Sequence, residues 1–281
     1  MKTIGEVLQL SALFLEERGV ARARRLAEEL LAFHLQTKRL ELYMEFDKLV
    51  EEKELSAIRA PLKRLSKGEP IEYVLGEVEF AGCQIAVDPR VLIPRQETEI
   101  LLEHILKKGK GAVVWDLCTG SGCLGIAVKK ARPETDVTLS DISLDALALA
   151  KINAESNGAK VNLIQGDLLA PFAGKKADII ICNPPYISTS EYFGLSPSVR
   201  DFEPKLALVG GDRGVEFYER LAAELPRFLN DGGQVFLEIG TGQGALLQKI
   251  FKGEVWARVE TEKDWAGHDR FFFLEKCHCL E

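Results

Sequence analysis

Residues 112–122 read Ala-Val-Val-Trp-Asp116-Leu-Cys-Thr-Gly120-Ser-Gly122. A short apolar run ends in a carboxylate, passes into a glycine-rich turn and leads to a helical pattern over 122–131. The same alternation continues along the chain. Strands are expected at 112–117, 136–141, 161–165, 177–182 and 234–239, and helices at 122–131, 143–157, 214–229 and 242–251. Short buried strands alternating with helices imply a parallel sheet covered on both faces. Two last strands, 255–261 and 270–276, have no helix between them and must run antiparallel. The reading is therefore α/β, with a mainly parallel seven-stranded sheet that closes in a C-terminal antiparallel hairpin.

Upstream the pattern differs. Residues 3–66 read as helical throughout, starting at a Thr3/Glu6 capping box and forming a small bundle. In Arg22-Ala-Arg24-Arg25 the cations precede Glu28 and Glu29 by one turn, which predicts a solvated face with i,i+4 pairs. Lys67-Gly68-Glu69-Pro70 ends the bundle. From Tyr73 to Val87 the spacing becomes strand-like, with Gly76 and Gly82 as turn residues, and a helix is expected from about Gln96 to Lys108. The expected organisation is a helical docking domain at 1–70, a β-hairpin linker at 71–90 and a catalytic domain at 91–281.

A length of 281 residues suits two domains, and 46% hydrophobic with 28% charged residues excludes a disordered or fibrous chain. No apolar run approaches the ~18 residues of a membrane span, and the N-terminus lacks the features of a signal peptide. A cytoplasmic monomer without membrane attachment is expected. The net charge of −7 argues against sequence-independent nucleic-acid binding, which relies on phosphate neutralisation. Six cysteines without C-x-x-C spacing read as reduced thiols. Cys277-His278-Cys279 has no second ligand cluster, so no metal is expected.

At Asp116–Gly122 the glycines allow a close backbone approach to a ligand, and the following helix N-terminus favours anionic groups. Asp141, about twenty residues after Gly120, ends the next strand where a carboxylate accepts ribose hydroxyls. NAD and S-adenosylmethionine both carry such a ribose. Gly120-Ser-Gly122-Cys-Leu-Gly125 even matches G-x-G-x-x-G literally. Asp116 weighs against NAD, because a pyrophosphate there would meet a carboxylate, whereas a sulfonium or ammonium ligand is attracted. The antiparallel closing hairpin weighs the same way. A second glycine-rich stretch, Gly240-Thr-Gly242-Gln-Gly244, reads as a plain turn into a helix.

Asn183-Pro184-Pro185-Tyr186 directly follows the strand at 177–182. Consecutive prolines fix an extended backbone without amide donors, leaving the Asn183 side-chain oxygen and the Pro184 carbonyl as acceptors. Two acceptors beside an aromatic ring suit a planar –NH2 group, whose N–H bonds they hold while Tyr186 packs on its face. An amide or aniline-like nitrogen is a poor nucleophile. Fixing its hydrogens aims its lone pair at an already activated electrophile such as a sulfonium methyl. The residues alone leave open whether that –NH2 belongs to glutamine or adenine.

With these motifs in place, the chain resembles the peptide chain release factor glutamine N5-methyltransferase family, within the class I (Rossmann-like) S-adenosylmethionine-dependent methyltransferases. Further matching pieces are Gly68-Glu-Pro70, Leu92-Ile-Pro-Arg95, Glu97-Thr-Glu99, Phe202-Glu-Pro204, Leu206-Ala-Leu208, Gly267 and Asp269-Arg270. Adenine-N6 methyltransferases of nucleic acid share the Asn-Pro-Pro-Tyr motif and form the alternative, whereas Leu92-Ile-Pro-Arg95 and the helical N-terminal domain are more specific to the glutamine enzymes. The resemblance implies S-adenosyl-L-methionine as cofactor, S-adenosyl-L-homocysteine as product, and the Gly-Gly-Gln glutamine of class I release factors as acceptor. It implies that Asp116, Cys118, Thr119, Gly120, Ser121, Gly122, Asp141, Asp167, Leu168 and Asn183 contact the cofactor. Asn183, Pro184, Pro185 and Tyr186 would grip the glutamine amide, with Arg95 shaping its pocket. Three positions depart from the family pattern. Cys118 replaces a glycine, and an ordinary backbone angle is expected there. Gln96 replaces a proline, and Leu168 stands where some members have an aromatic ring.

Overall fold

The computed structural model describes residues 2–278. Cys279 lies outside them, and with it part of the Cys277-His278-Cys279 reading. The chain divides into two compact units, Met1–Glu77 with Ser196–Phe202, and Val78–Leu195 with Glu203–Glu281.

The first unit holds α1 (Ile4–Glu16), α2 (Ala23–His34), α3 (Glu41–Met44), α4 (Glu52–Leu65) and α5 (Ile71–Leu75), together with the antiparallel pair β1 (Lys2–Thr3) and β2 (Leu49–Val50). The capping box forms as expected: Thr3 Oγ1 accepts the Glu6 amide at 3.2 Å, and the Glu6 carboxylate accepts the Thr3 amide at 2.8 Å. Arg24 and Arg25 pair with Glu28 and Glu29 one turn on. Leu8, Leu15, Leu30 and Leu42 are fully buried between the helices, each contributing ~1.5–3 kcal/mol of apolar burial.

Two expectations for this region are corrected. Residues 3–66 are not helical throughout, because Leu49–Val50 returns to pair with Lys2–Thr3. Two-residue strands are too short to show alternation. Residues 73–75 are helical rather than extended: α5 starts after Pro70 and ends at Gly76, whose φ of 85° closes it in a left-handed cap. The hairpin therefore begins at Glu77.

The chain continues with the hairpin strands β3 (Glu77–Phe80) and β4 (Cys83–Ala86), then α6 (Gln96–Lys108), β5 (Val113–Leu117), α7 (Cys123–Ala131), β6 (Asp136–Asp141), α8 (Leu144–Ser156), β7 (Asn162–Gln165) and β8 (Ala177–Cys182). Short elements follow: β9 (Ile187–Ser188), α9 (Thr189–Tyr192), α10 (Pro197–Arg200), which falls in the segment grouped with the first unit, α11 (Lys205–Leu208) and β10 (Val209–Gly211). The chain ends with α12 (Glu216–Phe228), β11 (Leu229–Glu238), α13 (Gly244–Ile250), β12 (Trp256–Lys263) and β13 (Asp269–Lys276).

The central sheet has seven strands in the order β12-β13-β11-β8-β5-β6-β7. β11, β8, β5, β6 and β7 run parallel, while β13 is antiparallel to both β11 and β12. This is the expected mainly parallel sheet with its closing hairpin. On one face Trp115 stacks on Phe172 with ring centroids 4.0 Å apart, in a core shared with Tyr218, Leu237 and Phe272. β5 lies between β6 and β8, and the chain leaves it toward opposite edges of the sheet. The carboxyl end of β5 is therefore the switch point where α/β sheets open a ligand crevice. No helix among the described residues is long and apolar enough to cross a membrane.

Candidate active site

A cavity of about 440 Å³ opens at that switch point, a size suited to a cofactor. Asp116, Cys118, Thr119, Gly120, Ser121, Asp141, Asp167, Leu168, Asn183 and Pro185 all line it. Gly122, Pro184, Tyr186 and Arg95 are not in its wall.

The loop between β5 and α7 is fixed by its own carboxylates. Asp116 is buried, and its Oδ2 accepts the Thr119 hydroxyl at 2.6 Å and the Gly125 amide at 3.0 Å. Burial pushes its pKa up to about 7. Asp141 accepts the Gly120 amide through Oδ2 and the Ser143 amide through Oδ1, both at 2.9 Å. Burial raises its pKa, and these amides oppose the rise. Gly122 has a φ of 82°, and a Cβ there would press on Ile126, Leu139 and Ala150 at 3.0–3.2 Å, so only glycine closes the turn onto α7. Cys118 also lies in the left-handed region, with φ 54°. The ordinary angle expected there is corrected: the chain must turn out of β5 at once, and that turn sets the angle whatever the side chain.

At the far end of the cavity Asp167 carries an ion pair with Arg220 of α12 at 2.7 Å. Leu168 is buried with φ 50° and packs in the same core as Phe217. On the other side, Pro184 and Pro185 are buried and Asn183 is half-buried. No hydrogen bond to the Asn183 carboxamide forms among the described residues, so its capacity faces the cavity. Arg95 turns its guanidinium onto Glu203, which is nearly fully buried and also accepts the Ile93 amide at 3.2 Å. Arg95 thus fastens the 93–95 segment to residue 203.

Several supporting residues escaped the sequence reading. Glu238, fully buried at the end of β11, accepts the Thr98 hydroxyl at 2.7 Å and the Tyr186 hydroxyl at 3.4 Å. Gln243, within the second glycine-rich stretch, donates to the Tyr186 carbonyl at 3.0 Å. Asn153 of α8, fully buried, holds the Ser121 carbonyl at 2.9 Å and both backbone groups of Ala86. The one available signal was a carboxylate inside the otherwise apolar run Val235–Ile239.

Residues 95–194 match the model of the methyltransferase small domain, and residues 6–76 match that of the PrmC N-terminal domain. The release factor glutamine methyltransferase of Geobacter sulfurreducens is 40% identical over 269 residues, covering 95% of each chain. The chain belongs to the release factor glutamine methyltransferase family. Its counterpart from Chlamydia trachomatis serovar D is 42% identical over 274 residues, covering 96% of this chain and 93% of its own. Among solved structures, a methyltransferase from Pyrococcus furiosus shares the fold with a TM-score of 0.55 at 21% identity, over 70% of this chain and 90% of its own.

As a member of this family the chain is an enzyme, an S-adenosylmethionine-dependent methyltransferase. Its cavity fits that cofactor. Asp141 is held by two amides at the carboxyl end of its strand, where a carboxylate can accept ribose hydroxyls. Asp116 and Asp141 together give the loop a negative character that suits a sulfonium and an ammonium group.

Proposed function

We propose that this chain methylates the side-chain amide nitrogen, N5, of the glutamine in the Gly-Gly-Gln motif of class I release factors, acting in the cytoplasm as a monomer. The observation that carries the reading is that Asn183 and Pro185 share one cavity wall with Asp141 and the Cys118–Ser121 loop. An amide held beside Asn183 lies within reach of a cofactor held at Asp141 and that loop.

Bound S-adenosylmethionine supplies an electrophilic sulfonium methyl. The chain supplies orientation and electrostatics. The Asn183 side-chain oxygen and the Pro184 carbonyl accept the two amide hydrogens of the glutamine and aim the nitrogen lone pair. As positive charge builds on that nitrogen, the same acceptors stabilise it in place, without reorganisation. Tyr186 covers the face of the amide plane. Asp116, Asp141, Asp167, Leu168 and the Cys118–Gly122 backbone hold the cofactor, with Asn183 touching both cofactor and acceptor; Arg95 braces the acceptor side through Glu203, and residues 1–70 dock the protein substrate. The relatives' name, release factor glutamine methyltransferase, supports glutamine over adenine as acceptor.

The test is methyl transfer from labelled S-adenosylmethionine to a class I release factor, to its Gly-Gly-Gln→Gly-Gly-Ala variant, and to duplex DNA. Label on the wild-type factor alone is expected. Label on DNA alone would replace this reading with adenine-N6 methylation.

A further inference from the structure

Two features that the mechanism leaves unused converge on one residue of the motif. The first is Glu238. Its carboxylate is buried at the end of a central strand, where an apolar side chain would avoid the desolvation penalty. Its two oxygens are taken up separately, Oε2 by the Thr98 hydroxyl at 2.7 Å and Oε1 by the Tyr186 hydroxyl at 3.4 Å. The second is the loop Gly240–Gly244. There Gln243 Oε1 accepts the Gly240 amide at 2.8 Å, and Nε2 donates to the carbonyls of Tyr186 at 3.0 Å and Gly214 at 3.1 Å. This carboxamide is bonded wholly to backbone and ties three segments together. Gly214 adds a steric wall: its φ is 74°, and a Cβ there would collide with the Tyr186 carbonyl oxygen.

We propose that Glu238 and Gln243 are positioning residues that grip Tyr186 at its two ends, hydroxyl and carbonyl, and so set the ring plane against the acceptor amide. The inference rests on the reading of Asn183–Tyr186 as the acceptor site. Two prolines already fix the backbone before Tyr186, and Gln243 fixes it after. What remains free is the ring, and its hydroxyl is anchored by Glu238. Active-site groups need placement to within roughly 10–20°, and hydrogen bonds of this kind tighten when a site fills. The glycine-rich stretch that reads as a plain turn is a turn, and of its two polar side chains Thr241 accepts from Arg270 at 3.0 Å while Gln243 is directed at the Asn183–Tyr186 motif.

The experiment uses full-length Gln243→Ala, Gln243→Glu, Glu238→Gln, Tyr186→Phe and the Glu238→Gln/Tyr186→Phe double variant. Steady-state kinetics on the release factor, S-adenosylhomocysteine affinity and amide hydrogen exchange are measured for each. Gln243→Ala is expected to lower kcat about tenfold or more, with S-adenosylhomocysteine affinity within about twofold of wild type. Exchange at the amides of Tyr186 to Ser188 should accelerate. Gln243→Glu keeps the volume but loses the donor and should behave alike, separating the hydrogen bond from packing. Glu238→Gln should lower kcat alone yet add less than about twofold in the Tyr186→Phe background, because the two residues act as one unit. Multiplicative losses in the double variant, or unchanged kcat and exchange in both Gln243 variants, would overturn the proposal. A wild-type enzyme that leaves the release factor unlabelled would overturn the acceptor reading instead, and the exchange data would still decide whether Gln243 holds Tyr186.

Discussion

Asn183 combines two properties that rarely coincide: a rigid backbone frame from the prolines that follow it, and a carboxamide with no partner among the described residues. Its replacement by alanine is expected to lower kcat by about 100-fold or more, the range for a lost preorganised polar contact. S-adenosylhomocysteine binding should change far less, and isothermal titration beside turnover separates the two. Cys118 makes the opposite case, of a side chain tolerated rather than required. A left-handed angle costs an L-residue ~1–2 kcal/mol, partly offset by the chain entropy that glycine loses on folding. Cys118→Gly should therefore stabilise the protein by about 0.5–1 kcal/mol, read as a raised urea midpoint. A lowered midpoint would mean that packing of the thiol outweighs the backbone strain.

β9 and β10 are each only two or three residues long, yet they fix the chain that follows the Asn-Pro-Pro-Tyr motif. β10 lies so close to it that a Cβ on Gly210 would collide with the Pro185 carbonyl oxygen. Gly210→Ala must move either β10 or the motif. A destabilisation of about 1–3 kcal/mol is expected, the usual cost of overpacking, with a loss of turnover larger than stability alone explains. Chemical denaturation together with kinetics well below the melting range checks both parts. The loop from β5 to α7 has a similar economy. Its shape depends on Asp116 and Asp141 accepting backbone amides, so the groups proposed to hold the cofactor also build the loop that presents them.

The molecule as a whole buries several carboxylates, Asp116, Glu203 and Glu238 among them. Burial raises the pKa of Asp116 to about 7 and raises those of Asp141 and Glu238. For Asp116, between the unfolded value near 4 and about 7, the folded chain then holds more protons than the unfolded one, and Asp141 and Glu238 shift in the same direction, so these groups make stability fall as pH rises. Asp88, Asp178 and Glu191 are shifted the other way, with stability lost only as pH falls through their lowered values. Urea midpoints are expected to be higher near pH 5.5 than at pH 8, and Asp116→Asn should flatten that slope. A midpoint that rises steadily toward pH 8 would contradict the assignment. The same carboxylate predicts that S-adenosylhomocysteine, with its ammonium group, binds more weakly below about pH 7 and displaces a proton from Asp116. Calorimetry in buffers of different ionisation enthalpy measures that proton directly.

The amino-acid sequence by itself determined the parts of this protein that neighbours in the chain can settle. The strands at 136–141 and 177–182 and the helix at 96–108 have the bounds their patterns predict, because alternation, helical periodicity and turn residues act over a few positions. The glycine-rich loop with Asp141 and the Asn-Pro-Pro-Tyr tetrapeptide were legible for the same reason: each compresses its chemistry into a short run. Where the local signal was weak the reading failed, as at Ile71–Leu75, whose helix is set by the proline before it and the glycine after it. Only the tertiary structure decided which distant side chains meet. Arg95 finds Glu203, Thr98 and Tyr186 find Glu238, and Gln243 finds the Tyr186 carbonyl. Each of these pairs depends on the order in which strands join the sheet and on the direction each leaves it. That order follows from burying the whole apolar surface at once, which no local stretch of residues encodes.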